Sequence, residues 1–507
     1  MDTHGGTGRW SNRPLVRAPA AWRWTPGRST GPRLVLAGLA LLALVFPAVP
    51  SSAAAGTCEG RPATSLGTPG DDVLNGTDGD DVMVGLGGDD TISGFLGNDV
   101  ICGDEGTDRL AGYAGDDRIF GGFDSDAGGD VIWPGAGNDY VDAGLDPLTR
   151  DDFSLPADTV LYSDLLAAGF PGGIRADLTP VGGLGFVAEP SGTDQVVVTE
   201  ALSIVGTRTA DVLVGSPYLD VLIGRGGADQ IDGAGGNDTL AADFTNTDVD
   251  PAADAPDDID GGPGMDWIVL GQAGGTARGG DDMDHLEVHP ETAPAVLRGQ
   301  DGDDQLLVEA VKDVDVDGGG GHDDIYVRLT PASRAVSVDG GRSRDLVTFD
   351  VRRAGFRKGS PITVDLGRGV LRTTARAGRV RSLEVLWIQG EDSRWQVRGT
   401  HRNEDVIMRG GRSLKTLMRG GRDSVVATRG RDVLDLGQGR GDFANGRKGR
   451  DTCLGAERVR NCENLSSRGS GQDARDAHAP ARSAFERRLR GAQVVPRPLI
   501  GDFDLHE

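Results

Sequence analysis

The residues with the clearest chemical potential are aspartates recurring at one fixed place in a nine-residue phrase, GxxGxDx-apolar-x, written eight times between residues 67 and 142. The sixth position is aspartate in every copy: Asp72, Asp81, Asp90, Asp99, Asp108, Asp117, Asp130 and Asp139. The fourth is always glycine, as in Gly70, Gly79, Gly88 and Gly97, and the eighth is always apolar, from Leu74 and Met83 through Val141. Turn-forming glycine alone explains the fourth position, because it takes positive φ and turns the backbone carbonyls outward. It does not explain an invariant carboxylate. Asp side chains beside exposed carbonyls make an oxygen-only ligand set, which suits a hard cation such as Ca²⁺ better than zinc or copper.

The elements that must position these aspartates follow from the spacing. The apolar residue and its neighbours form a short strand of about 10 Å with one side chain pointing inward. Turn, strand, turn, strand then closes a coil in eighteen residues, so each turn stacks on the turn two repeats later, about 4.8 Å away. Asp72, Asp90 and Asp108 fall on one edge, and Asp81, Asp99 and Asp117 on the other. Two bare carboxylates at that spacing repel by on the order of 3 kcal/mol at an effective dielectric near 20. Cations between the turns would remove that cost.

On these residues the phrase resembles the RTX, or haemolysin-type, calcium-binding repeat. The resemblance implies a parallel β-roll that holds several Ca²⁺ ions between stacked turns. The fold class expected is all-β: a parallel β-roll or β-helix solenoid in several stacked blocks with strand-rich spacers.

Residues 1–55 read as a signal peptide. Six arginines precede the apolar run Leu34–Phe46, and Ala53-Ala54-Ala55 supplies the small residues of a cleavage site. Thirteen apolar residues are too few to span a bilayer, and no later run is as long, so no transmembrane segment is expected after cleavage. Four cysteines, Cys58, Cys102, Cys453 and Cys462, agree with export. Three pairings are open, and proximity favours Cys58 with Cys102 and Cys453 with Cys462.

The β-roll occupies 56–150. Residues 151–205 and 349–398 are strand-rich spacers with a similar order of short strands. Between them, 206–348 holds degenerate repeats, with Asp229 and Asp238 in the clearest copies and irregular spacing afterwards; continued roll with fewer filled sites is expected. Residues 399–463 are basic degenerate repeats, with fifteen Lys or Arg against nine acids over 398–463, and GGRSLKTLM puts Lys415 at the aspartate position. There Arg and Lys either replace the ions' charge or form a surface for an anionic cell-envelope polymer. Residues 464–507 read as a disordered tail, with a short helix near 484–489.

A net charge of -26 argues against nucleic acid as partner. His285 and His289 are four apart but sit in a strand and its following loop, and Trp133, Trp267, Trp387 and Trp395 read as packing residues. No catalytic motif emerges. The reading is a secreted, extracellular, calcium-binding structural or interaction protein and not an enzyme. The alternatives are a secreted hydrolase with RTX repeats, whose relatives carry a sizeable non-repeat domain, and an extracellular calcium buffer.

Overall fold

The computed structural model describes residues 56–466, apart from 124–128, 145–157, 163–171, 182, 199–201, 243–254, 272, 289–293, 311–312, 334, 353, 374–376 and 391. The signal peptide expected over 1–55, His289 and the tail beyond 466 lie outside the described residues. Within them every regular element is a strand, and no helix is long and apolar enough to cross a membrane.

Strand pairing confirms the eighteen-residue coil. Val73 pairs with Thr91 and Thr91 with Arg109 in a first parallel sheet. Val82 pairs with Val100 and Val100 with Arg118 in a second. The chain alternates between the two sheets from Ser65–Leu66 to Asn464–Ser466, making a parallel solenoid. That last strand pairs with Thr452–Leu454, so order reaches three residues into the segment expected to be tail. Backbone bonds lock consecutive coils: Thr91 N–H donates to the Asp72 carbonyl at 2.9 Å and Arg109 N–H to the Asp90 carbonyl at 2.8 Å.

The apolar eighth positions face one another across the two sheets. Met83, Ile101, Ile119 and Val141 on one side, and Ile92, Leu110 and Ile132 on the other, are fully buried in one continuous core. Each such side chain contributes roughly 1.5–3 kcal/mol by leaving water. No single coil can bury its own, so stability depends on stacking.

Both spacers stay in the stack and share one topology. In the first, Tyr140–Gly144 pairs in parallel with Thr193–Val197, which continues antiparallel through Leu184–Ala188 to Arg175–Val181; that strand pairs in parallel with Val212–Val214. In the second the order is Val336–Asp339, Ala377–Arg381, Val370–Arg372, Pro361–Asp365 and Arg394–Arg398, with the same alternation of direction. Each spacer therefore fits a three-strand meander where an ordinary coil places one strand.

The N-terminal lead folds back over the second sheet. Cys58 and Cys102 are joined by a disulfide, as are Cys453 and Cys462. Cys58 packs with Val84 and Val100 on the outer face, and Arg118 Nε donates to Glu59 at 2.7 Å.

Candidate metal centre

Two edges carry the turns. Edge A leads from the second sheet into the first and holds Asp72, Asp90, Asp108 and Asp130; edge B leads back and holds Asp81, Asp99, Asp117 and Asp139. Along each edge the aspartates form a column. The N–H of Asp72 donates to Asp90 Oδ1 at 2.8 Å, Asp90 to Asp108 at 2.8 Å, and Asp108 to Asp130 at 2.8 Å. On edge B the same bond joins Asp81 to Asp99, Asp99 to Asp117 and Asp117 to Asp139, at 2.7–2.8 Å.

One oxygen of the carboxylate is thus used, and in five interior aspartates the other is not. Oδ2 of Asp90, Asp99, Asp108, Asp117 and Asp139 is buried without a hydrogen-bond donor. It faces more oxygen. A Cβ added to Gly85 would collide with Asp90 Oδ2 and stand 2.7 Å from the Gly103 carbonyl oxygen; one on Gly94 would meet Asp99 Oδ2 and the Gly112 carbonyl in the same way. First-position glycines therefore leave open a cradle lined by a carboxylate and a carbonyl. Buried anionic oxygens without donors are costly, and a bound Ca²⁺ would supply the missing charge. Among the described residues no three acidic, His or Cys side chains converge, so backbone oxygens must complete any such site.

The fourth-position glycines answer to a different constraint. Gly88 and Gly97 have φ of 99° and 112°, and a Cβ on either would strike the backbone of the preceding coil. Gly70 and Gly79 begin the two columns, have no coil beneath them and meet nothing closer than 4.0 Å.

The column starts are also satisfied differently. Oδ2 of Asp72 accepts from the Thr68 N–H at 2.5 Å and its hydroxyl at 2.8 Å, and Asp81 is held likewise by Thr77. The same cap recurs wherever a column restarts after a spacer: Thr207 on Asp211, Ser216 on Asp220, Thr400 on Glu404 and Thr428 on Asp432. A hydroxyl residue in the second position thus supplies at each start the donors that the interior turns lack.

A second set of turn residues was not singled out from the sequence. Fifth-position side chains also bridge coils, in the opposite direction: Asp80 Oδ1 accepts from Asn98 N–H, Asn98 from Asp116 and Asp116 from Asn138, each at 2.9 Å. The signal was present, since six of the eight repeats carry Asp or Asn there.

Beyond residue 206 the columns persist. Asp211, Asp229 and Asp257 stack on edge B. On edge A, Asp220, Asp238, Asp266, Asp284, Asp304, Asp323 and Asp345 run without a break, at 2.8–3.1 Å. Every glycine-rich phrase from 261 to 345 lies on edge A, so the irregular spacing is one phrase per coil instead of two. In the basic repeats Glu404, Asp423 and Asp442 continue edge A, while Asp432 and Asp451 occupy edge B.

One register must be corrected there. Leu414, not Lys415, takes the aspartate position: its N–H donates to Asp432 Oδ1 at 2.7 Å, and Lys415 pairs with Val433. Strand alternation decides this, because Leu414 and Thr416 point inward and are buried while Lys415 is exposed. The opposite register would bury an ammonium group. Arg409, Arg412, Arg429 and Arg431 lie exposed on the turns without displacing the remaining carboxylates. His285 stacks on Trp267 with ring centroids 4.1 Å apart, and Trp395 is buried with its Nε1 donating to Ser393 Oγ at 2.8 Å.

Burial, reinforced by the charges of neighbouring aspartates, raises these carboxyls: Asp108 and Asp117 to about 7 and Asp139 to about 9. A raised folded-state value means that the metal-free fold binds protons the unfolded chain has released. Its stability is then full below the unfolded value near 4 and is lost as pH rises through about 7. Calcium-stripped protein should therefore show more β-structure by circular dichroism at pH 5.5 than at pH 8; equal spectra would contradict the burial of these groups.

The columns also rank two substitutions. Asp90→Ala removes a carboxylate with an unfilled oxygen, whereas Asp72→Ala removes one that Thr68 already satisfies. The calcium midpoint for folding should move about tenfold or more for Asp90→Ala, corresponding to roughly 1.5–3 kcal/mol, and less for Asp72→Ala. A calcium titration of both variants decides the order.

A family model for the RTX calcium-binding nonapeptide repeat matches residues 66–101, 93–126, 103–141, 125–146, 205–240 and 419–453. No curated protein matches the chain. The matched segments are those in which both edges carry the carboxylate columns. The chain carries RTX calcium-binding nonapeptide repeats in several copies, and Ca²⁺, as multiple ions, is its cofactor.

Proposed function

We propose that this is an exported protein whose solenoid is completed by calcium, and that its role is structural or adhesive and not catalytic. The observation that carries the reading is the file of buried aspartate oxygens without donors, each beside a backbone carbonyl. In it Asp90, Asp99, Asp108, Asp117 and Asp139, with Asp238, supply the carboxylates, Asp130 and Asp229 continue the same columns, and turn carbonyls such as those of Gly103 and Gly112 supply neutral oxygens. Asp72 and Asp81 end the columns and serve an ion on one side only. Without the ions, neighbouring carboxylates repel and the turns cannot stack; with them, each occupied turn presents a template for the next coil.

Export is supported by the signal-like segment 1–55 and by the two cysteine pairs at disulfide distance. It also fits the chemistry. Sites of this kind bind Ca²⁺ in the range of roughly 10⁻⁵ to 10⁻³ M, so the chain would remain unfolded inside the cell and fold outside. Full-length mature chain should lose most of its β-structure on chelation at pH 7.5 and regain it when Ca²⁺ is returned. A circular dichroism spectrum indifferent to chelator would sink the proposal.

A specific observation favours an anionic polymer as the partner. In the last coils the edge B turns that elsewhere carry acids bear Arg429, Arg431, Arg447, Lys448 and Arg450, all exposed. Successive turns place them about 4.8 Å apart in rows. Binding of the calcium-loaded protein to an immobilised polyphosphate should weaken steeply between 50 and 200 mM salt, as expected for screened charge pairing. Replacing Arg429, Arg431 and Arg450 with Ser should abolish it without changing calcium uptake; retained binding would place the surface elsewhere.

A further inference from the structure

We propose that residues 261–345, which the repeat family leaves unmatched, bind calcium along edge A alone, one ion per coil, at Asp266, Asp284, Asp304, Asp323 and Asp345. The proposal rests on the calcium reading of the first array and extends it to a stretch whose spacing does not announce it.

The argument is a comparison of two edges of the same coils. On edge A each of these five aspartates is at most 2 % exposed, and each keeps a buried Oδ2 that no group hydrogen-bonds. Their Oδ1 atoms are fixed by the preceding coil as in the first array. The cradle is also the same. A Cβ on Gly261, Gly279, Gly299 or Gly318 would collide with the following aspartate's Oδ2, and it would also meet the carbonyl oxygen of the next coil's glycine, at 2.5 Å for Gly261 and 2.7 Å for Gly279. These are the contacts made by Gly85 with Asp90 and Gly103. Asp260, Asp281 and Asp301 line a groove of ≈ 400 Å³ on the same edge, which gives a cation an acidic approach.

Among the described residues, edge B of these coils carries no such column. Strand register puts Gly275, Ala295, Val314 and Val336 where the aspartate column would stand. None of these is a carboxylate; Asp313, one residue before Val314, accepts at Oδ1 from the Ala335 N–H of the following coil at 2.9 Å, as the fifth-position side chains of the first array do. A column of oxygen ligands on one edge faces ordinary connections on the other.

The test uses the full mature chain and Ca²⁺ alone. Equilibrium dialysis should show Asp304→Asn losing about one to two ions per chain, because Asp304 stands between two coils, whereas Asp313→Asn binds as many as the parent. Should Asp304→Asn fail to fold, crystals of the unmodified chain grown with terbium locate the ions directly. Anomalous peaks between the edge A turns of 261–345, with none on edge B, are expected. Peaks confined to 67–142, 205–240 and the C-terminal repeats, or an Asp304→Asn variant with unchanged stoichiometry, would overturn the one-edge column. A parent chain that takes up no calcium would instead overturn the reading on which it rests.

Discussion

The structure depends on a carboxylate that is only half satisfied. Interior aspartates such as Asp90 and Asp99 accept at Oδ1 from a backbone N–H of the previous coil and keep Oδ2 buried beside a carbonyl. The first bond sets the spacing and rotation of the coils; the second oxygen, buried without a donor, makes that spacing electrostatically costly. Hydrophobic burial contributes little in its place in the first array, where each coil adds only two core side chains such as Ile92 and Ile101. The fold therefore has a core that tolerates stacking and turns that permit it only when their charge is compensated.

The turns also carry direction. Sixth-position carboxylates accept from the coil before them, while fifth-position Asp and Asn accept from the coil after them. A coil in the middle of an array is thus held by side chains from both neighbours. A terminal coil is held from one side, and there the hydroxyls of Thr68 and Thr77 complete the turn. Such caps let a column begin without an ion beneath it, which is why Thr or Ser reappears at 207, 216, 400 and 428, after each spacer.

Much of this was legible because the repeat of 67–142 fixes both the period and the ligand type. The stacking partners and the inward apolar positions follow from counting in nines, and proximity along the chain favours the two cysteine pairs that form. What escaped has physical reasons. The spacers' antiparallel meanders involve pairings of strands whose order in the sheet reverses their order in the chain, and no local pattern encodes that. Lys415 falls one residue past the aspartate position because inward–outward alternation of the strand, which keeps its ammonium in water, sets the register there and the count from the glycines does not. The fifth-position bridges were overlooked because an exposed Asp or Asn in a turn has a sufficient local explanation. Only stacking reveals its second partner.

The middle array shows what degeneracy means for a solenoid. Read as a string of nonapeptides, 261–345 looks eroded, because its phrases fall 18 to 22 residues apart. Read as coils, it is regular on one edge and free on the other. Each connection on edge B can vary in length without disturbing edge A, since the strand registers on either side are fixed by the backbone ladder and by the aspartate column. A sequence model tuned to two phrases per coil loses half its signal there, while the physical requirement on the remaining edge is undiminished. Loss of periodicity in such a chain therefore measures how many edges must hold charge, and not how much of the roll survives.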